Sequence, residues 1–291
     1  MKDSTVLIIG GTGTFGNACV EELLKTDVHK IIIFSRDEKK QWDMQQRIKD
    51  ARMRFFIGDV RDRDRLYQAF VDVNYIIHAA ALKQVPALEY NPMEAIKTNI
   101  IGTQNVITCA VELGVKKVLA LSTDKAVNPI NLYGATKLCA EKLIIASSAY
   151  GGRFTKLSVV RYGNVMGSRG SVIEVFEKQR ETGVVTVTDE RMTRFVITPQ
   201  EAVLFVLKCL ESMKGGEIFV PRLESMRIID LAKQIAPDCD ITFTGIRAGE
   251  KIHETLVSAD EFKYVTTEDD RFIIKPKMQP FNGDFKAYTS S

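Results

Sequence analysis

Six short apolar runs punctuate the first half of the chain: Thr5–Ile9 (TVLII), Lys30–Phe34 (KIIIF), Met53–Ile57 (MRFFI), Tyr75–His78 (YIIH), Lys117–Leu121 (KVLAL) and Leu157–Arg161 (LSVVR). Each is nearly continuously apolar rather than alternating, the pattern of parallel strands covered on both faces. Helical spacing fills Gly16–Leu24, Pro92–Leu113 and Tyr133–Ser148 between them, with Asn91 placed to cap the helix that Pro92 opens. This alternation predicts a Rossmann-type, doubly wound α/β parallel sheet over residues 1–161. After Arg161 the rhythm changes. RYGNVMGSRGS reads as a long loop, followed by short strands, helices at Pro199–Glu211 and Met226–Gln234, and an end spaced by Pro276 and Pro280. We expect a smaller C-terminal α/β lobe, mainly 162–291, with the chain returning to the first unit within 195–220. No 20–50-residue repeat interrupts this reading.

Composition narrows the function classes. A hydrophobic content of 45% supports a substantial core, and 40 basic against 37 acidic residues leave a net charge of only +3. That balance removes the electrostatic case for a nucleic-acid or membrane-surface partner. Cys19, Cys109, Cys139, Cys209 and Cys239 are scattered, with no CxxC or Cys/His cluster, so neither a metal site nor a disulfide framework is expected. They read mostly as small core residues. VLIIGG is too short to span a bilayer, and no basic-then-apolar leader precedes it, so a reducing, cytoplasmic setting is expected. Of the three histidines, His78 ends a core strand and is expected to pack beside a cofactor, while His29 and His253 read as surface or loop residues.

The first strand runs directly into GGTGTFG, which contains G-x-G-x-x-G at Gly11, Gly13 and Gly16 and opens a helix. Gly10, Thr12, Gly13, Thr14, Phe15 and Gly16 would cradle a pyrophosphate through backbone N–H groups at the positive end of that helix. An NAD site usually places an acidic residue at the end of the second strand. Here the turn is Ser35, Arg36, Asp37, followed by Lys39. A hydroxyl beside a guanidinium suits a 2′-phosphate, so NADP is expected rather than NAD. The alternative, a solvated basic turn, is favoured by the acidic Asp37 and Glu38. Topology adds Asp59 and Val60 near the adenine and Ala79–Ala81 along the cofactor.

The densest chemistry lies in STDKAVNPINLYGATK, Ser122–Lys137. Tyr133 and Lys137, four apart on a helix, share one face. The ammonium favours the tyrosinate, so the tyrosine can take a proton from an alcohol while hydride leaves its carbon.

The Gly-rich loop, a Ser/Thr after the fifth strand and YxxxK together resemble the extended short-chain dehydrogenase/reductases. Ile9, where many members carry threonine, is a local departure. The blocks SRDE, RMRFFIGDVRD, HAAALKQVPALEYNP, STDKAVNPINLYGATKLCAEKL, VVRYGNVMGSRGSV, RMTRF and GIRAGEKIHE resemble more narrowly the inverting UDP-N-acetylglucosamine 4,6-dehydratases of pseudaminic-acid-type pathways. This resemblance implies a lyase that recycles tightly bound NADP. Tyr133, backed by Lys137, would oxidise the sugar at C4, Lys125 would take the C5 proton as a neutral amine, and protonated Asp124 would help the C6 hydroxyl leave. It further implies substrate contacts at Lys83, Thr123, Asn164, Val165, Ser168, Arg194, Arg247 and Glu250, Lys83 lying between cofactor and substrate. A homo-oligomer, dimer or larger, would form through the helices Pro92–Leu113 and Tyr133–Ser148. Ala248 replaces the proline common in GIRPGEK, and the chain stops at FKAYTSS where relatives commonly continue, a natural short form or a truncation.

Other readings share part of this pattern. A UDP-sugar 4-epimerase uses the Tyr/Lys pair without needing Asp124–Lys125, and a retaining 4,6-dehydratase usually carries Asp–Glu there. An NADP-binding regulatory protein tends to lose YxxxK, which this chain keeps.

Overall fold

A computed structural model describes residues 1–150, 154–168, 170–268 and 270–275. The proline-spaced end with Pro276 and Pro280, the FKAYTSS terminus and Arg169 of the glycine-rich loop lie outside the described residues. The first half contains β1 (Thr5–Ile9), α1 (Thr14–Leu24), β2 (Lys30–Ser35), α2 (Glu38–Arg47), β3 (Met53–Ile57), α3 (Arg63–Phe70), β4 (Tyr75–His78), α4 (Val85–Tyr90), α5 (Pro92–Ala95), α6 (Gly102–Glu112), β5 (Lys117–Thr123), α7 (Leu132–Tyr150) and β6 (Lys156–Tyr162). The second half contains β7 (Asn164–Val165), α8 (Val172–Arg180), β8 (Val184–Val187), β9 (Thr193–Ile197), α9 (Pro199–Ser212), β10 (Ile218–Pro221), β11 (Ser225–Arg227), α10 (Ile228–Ile235), β12 (Asp240–Phe243), α11 (Ala259–Phe262), β13 (Val265–Glu268) and β14 (Arg271–Ile274).

Nine strands form one sheet in the order β13-β14-β10-β6-β5-β4-β1-β2-β3. From β3 through β10 neighbouring strands are parallel; β14 and β13 close the edge antiparallel. The sheet explains the continuous apolar runs. β1 is buried along its whole length because residues alternate between two cores: Val6 and Ile8 join one with α1 and α9, and Leu7 and Ile9 join the other with α3 and α6. A third, smaller core gathers Phe176, Val185, Val187, Ile228 and Leu231 between α8, β8 and α10.

Strand order reverses between β1 and β4, the place where such sheets open a crevice at their carboxyl ends. The chain is shaped for a close approach there. Gly10 has φ +80°, and a Cβ on it would stand 2.9 Å from the Ala80 backbone nitrogen, so only glycine lets the two loops meet.

Several details differ from the sequence expectation. The helix expected over Pro92–Leu113 is broken by a π-helical segment, Ile96–Ile101, between α5 and α6. That extra residue per turn lets buried Asn99 bond Leu82 N and O and Thr136 Oγ1, pinning the loop after β4 to α7. RYGNVMGSRGS is not wholly a loop: Arg161 and Tyr162 complete β6, and Asn164–Val165 pair with β9 as β7. Met226 belongs to β11, and its helix starts at Ile228. Among the cysteines, Cys139 is exposed and Cys239 half-buried, whereas the other three are in the cores.

Across the sheet, a buried ion-pair triad ties both halves. Arg161, 1% exposed, donates to Glu141 Oε1 and Oε2 (3.0 and 2.7 Å) and to Glu261 Oε2 and Oε1 (2.9 and 3.0 Å). It also donates to the Leu256 carbonyl at 2.9 Å. β6, α7 and α11 are thereby held together by groups that are costly to leave unpaired.

Candidate active site

The crevice at the carboxyl edge of the sheet is a cleft of about 1430 Å³. Single small-molecule sites occupy roughly 300–1,000 Å³, so it is large enough for two ligands. One end is the loop after β1. Gly13 caps α1 with extended backbone, no side chain caps it, and the first turn carries no acidic residue. Its free N–H groups and the helix dipole suit an anion. Gly10, Thr12, Gly13, Thr14, Phe15 and Gly16 all line this end, as do Ala79 and Ala80 opposite. The donors and the close backbone approach fit a dinucleotide pyrophosphate.

At the end of β2, Ser35, Arg36 and Asp37 line the cleft. Ser35 Oγ lies 2.8 Å from Thr12 Oγ1. Half-exposed Arg36 makes a loose 3.4 Å pair with Asp59, leaving its guanidinium able to take a phosphate. Asp37 is engaged in capping α2 through Lys40 N, so its carboxylate belongs to the turn itself. Lys39 is not on the wall. Its exposed ammonium pairs with Asp43 at 2.5 Å and sits over the Trp42 ring. Asp59 also stays off the wall, chelated by Arg61 at 2.7 and 3.0 Å, while Val60 reaches it. Lys40 and Arg47, which the sequence reading passed over, line this corner instead. Their signal was available: both lie on the face of α2 that carries buried Met44.

The chemistry cluster stands where β5 ends. Residues 124–126 form one 3-10 turn, and α7 begins against it. Gly134 makes this junction possible, since a Cβ there would sit 2.1 Å from the Lys125 carbonyl oxygen. Tyr133, Lys137, Lys125 and Thr123 line the cleft together. Lys137 Nζ donates to the Leu121 carbonyl at 2.6 Å, and burial lowers its pKa to about 8 although Glu141 pulls the other way. Burial, with the nearby Asp124 carboxylate, pushes the Tyr133 phenol well above its usual range, against a hydrogen bond with Thr123. Lys125 Nζ donates to Asp124 Oδ1 (2.9 Å) and Asn164 Oδ1 (3.1 Å).

Asp124 itself does not reach the wall. Its side chain is fully buried; Oδ1 accepts from Thr123 Oγ1 (2.8 Å) and Lys125, and Oδ2 has no hydrogen-bond partner. At the end of β4, His78 is buried, with Nε2 3.1 Å from Thr103 Oγ1; burial and Lys137 drop its pKa to about 3, so the ring is neutral.

The far wall comes from the second half. Asn164, Val165 and Ser168 line it, and Lys83 reaches Ser168 Oγ at 3.4 Å. Burial and Lys125 lower the pKa of Lys83, while Glu174 opposes them. Arg194 lines the cleft, anchored by its Nη1 to the carbonyls of Thr193 (2.7 Å) and Ile252 (3.0 Å). Arg247 and Glu250 are not brought to the wall. They bond each other in a turn, Glu250 N to Arg247 O at 3.1 Å, which Asn131 holds through the Gly249 carbonyl.

A profile of the family described as "Polysaccharide biosynthesis protein" matches residues 6–276, nearly the whole chain. The chain belongs to this family. Within the polysaccharide biosynthesis family, it is 51% identical over 278 residues to a UDP-N-acetylglucosamine 4,6-dehydratase (inverting) of Campylobacter jejuni subsp. jejuni serotype O:2, spanning 94% of this chain and 83% of that protein. It is 47% identical to a UDP-glucose 4-epimerase of Rickettsia rickettsii, over 89% of this chain and 79% of that protein. The crystal structure of Pen from Bacillus thuringiensis superposes with a TM-score of 0.91 at 41% identity, covering 95% of this chain and 90% of that one. In this member of the family the residue most clearly missed from sequence is Glu254. Its side chain is 4% exposed and lies 3.6 Å from Lys125.

Proposed function

We propose that the protein is an inverting UDP-N-acetylglucosamine 4,6-dehydratase that uses NADP and forms a 4-keto-6-deoxy sugar nucleotide with inverted C5. One observation carries the reading: Lys125 lines the same cleft as Tyr133 and Lys137 and as the glycine-rich loop after β1. An enzyme that only oxidises and reduces at C4 needs no base there. The bound nicotinamide would supply hydride acceptance and return. The remaining chemistry falls to the protein. Tyr133 takes the C4 hydroxyl proton, and Lys137 favours the tyrosinate across one helical turn. The C4 ketone acidifies C5, and Lys125, as a neutral amine, removes that proton. Asp124, which lies behind the wall and accepts from Thr123 Oγ1, is assigned, in its protonated form, assistance to departure of the C6 hydroxyl as water.

Ser35 and Arg36 are proposed to hold the 2′-phosphate, with Lys40 alongside. Residues 1–161 would carry the dinucleotide and 162–291 mainly the sugar nucleotide, the chain rejoining the first unit within 195–220. Asn164, Val165, Ser168, Lys83 and Arg194 would grip the UDP-sugar, with Arg247 and Glu250 at its outer edge. Assembly as a homo-oligomer is proposed through α5, α6 and α7, whose surroundings expose Met93, Ile101 and Tyr90.

The test is incubation with UDP-N-acetylglucosamine in deuterated water, followed by NMR. A C6 methyl group and deuterium at an inverted C5 are expected. A C4 epimer that keeps its C6 hydroxyl would replace this reading with the epimerase, the activity in the Rickettsia relative's name. Unchanged substrate would reject both.

A further inference from the structure

The loop before α11 brings a buried carboxylate to Lys125 from far along the chain. Residues 249–254 lie over the turn that carries Asp124 and Lys125 like a strap. Asn131 Nδ2 holds the Gly249 carbonyl at 2.8 Å, and Lys251 Nζ donates to the Val127 carbonyl at 2.6 Å. Ile252 is paired to β9 through Thr193 N at 3.0 Å and to Arg194 Nη1, also at 3.0 Å. This anchoring fixes Glu254, whose Oε1 is 3.6 Å from Lys125 Nζ and whose Oε2 is 3.7 Å from Lys251 Nζ. Oε2 is buried without a hydrogen-bond partner. A desolvated carboxylate is expensive unless a charge nearby uses it.

We infer that Glu254 is a positioning residue for Lys125: it holds the amine against the cleft wall and stabilises the ammonium that forms as Lys125 takes the C5 proton. This deepens the function proposed above and rests on it. The Nζ lone pair forms the new N–H bond, the C5–H electron pair passes to the C4 carbonyl as an enolate, and no redox change accompanies the step. Positive charge therefore grows on Nζ in the transition state, where a fixed anion helps most. The logic is that of a base oriented and charge-compensated by a third group.

The other titratable groups around the pair, among the described residues, are few. Asp124 faces Lys125 from the 3-10 turn, Lys83 faces it from the loop after β4 and is itself opposed by Glu174 of α8, and Tyr133 faces Asp124 from α7. Lys251 is the cation that shares Glu254. His253 is turned away, with Nδ1 2.8 Å from Thr193 Oγ1.

The test uses the holoenzyme and UDP-N-acetylglucosamine deuterated at C5, following loss of the C5 label against pH together with its kinetic isotope effect. The isotope effect isolates C5–H cleavage, the step assigned to Lys125, from the redox steps. Glu254→Gln keeps the shape and removes the charge. Its plateau rate should fall about threefold to tenfold, and its acid limb should move to lower pH by about one unit, because the neutral amine is reached sooner. Lys251→Met should move the acid limb the opposite way, by leaving Glu254 to Lys125 alone; it decides the matter if Glu254→Gln does not fold. A slower Glu254→Gln whose acid limb superimposes on the wild type's, or a Lys251→Met limb that is unmoved, would assign Glu254 to packing and overturn the inference. Wild-type enzyme that fails to release the C5 label would overturn the function as well, so the two failures are distinguishable.

Discussion

Lys137 is a functional group installed against the stability of the fold, and this can be measured. Its side chain is buried, and its pKa is lowered from the ordinary 10.5 to about 8. At 1.36 kcal/mol per pH unit, that gap makes the protonated lysine cost the native state about 3 kcal/mol. The folded protein releases this proton near pH 8 and the unfolded chain holds it to 10.5, so between these values the unfolded state binds more protons and stability rises with pH. Below pH 8 the full cost is present. Replacing Lys137 by methionine removes that cost and also the hydrogen bond to the Leu121 carbonyl, worth about 1 kcal/mol. In nucleotide-free protein, Lys137→Met should therefore be more stable than wild type by about 2 kcal/mol at pH 7 and less stable by about 1 kcal/mol near pH 10.5. With an unfolding entropy of about 0.6 kcal/mol/K for a chain of 291 residues, Tm should rise by about 3 °C at pH 7 and fall by about 2 °C at pH 10.5. Paired thermal melts of both proteins across this range are the assay; alkaline effects common to both cancel in the difference. A Tm difference independent of pH would refute the argument, because it would mean the ammonium is not desolvated at all. Activity should be lost at every pH, since Tyr133 loses its cation.

Three further outcomes follow from other parts of the structure. Arg161→Met leaves Glu141 buried with Ser122 Oγ as its remaining hydrogen-bond partner, and should cost about 3–5 kcal/mol in urea unfolding; a loss below 1 kcal/mol would show the triad to be neutral. Gly134→Ala places a methyl group 2.1 Å from the Lys125 carbonyl oxygen, so α7 or the 3-10 turn must shift; kcat should drop at least tenfold while NADP affinity in a titration changes less than threefold. Arg36→Ala should weaken NADP binding about tenfold to a hundredfold and leave NAD within twofold, as a single charge-assisted phosphate contact would; equal losses for both nucleotides would remove the 2′-phosphate from Arg36.

How much of this was legible beforehand depends on the distance over which each feature is encoded. The six strands appear within a residue or two of their expected bounds, because burial on both faces writes itself into every residue of a parallel strand. The glycine-rich strand–turn–helix at residues 5–24 and the Tyr133–Lys137 face are equally local: one is written in closely spaced glycines, the other in a single helical turn. The π-helical break at Ile96–Ile101 left no local mark, since its cause is the bonding of Asn99 to Leu82 and Thr136 elsewhere. The basic corner of the cleft at the end of β2 was half visible. Arg36 sits at the strand end, but whether Lys39 or Lys40 faces the cleft depends on the rotation of α2 over the sheet.

The sequence by itself determined the sheet, the crevice and the residue types gathered at Ser122–Lys137, because short-range periodicity and turn chemistry carry them. Tertiary structure alone decided the electrical setting of those residues. Asp124 is sealed behind Thr123, Arg161 is clamped between Glu141 and Glu261, and Glu254 is delivered to Lys125 by a strap anchored at Asn131, Val127 and Thr193. Charge interactions act through space and strengthen with burial, and neither property can be read from neighbours along the chain.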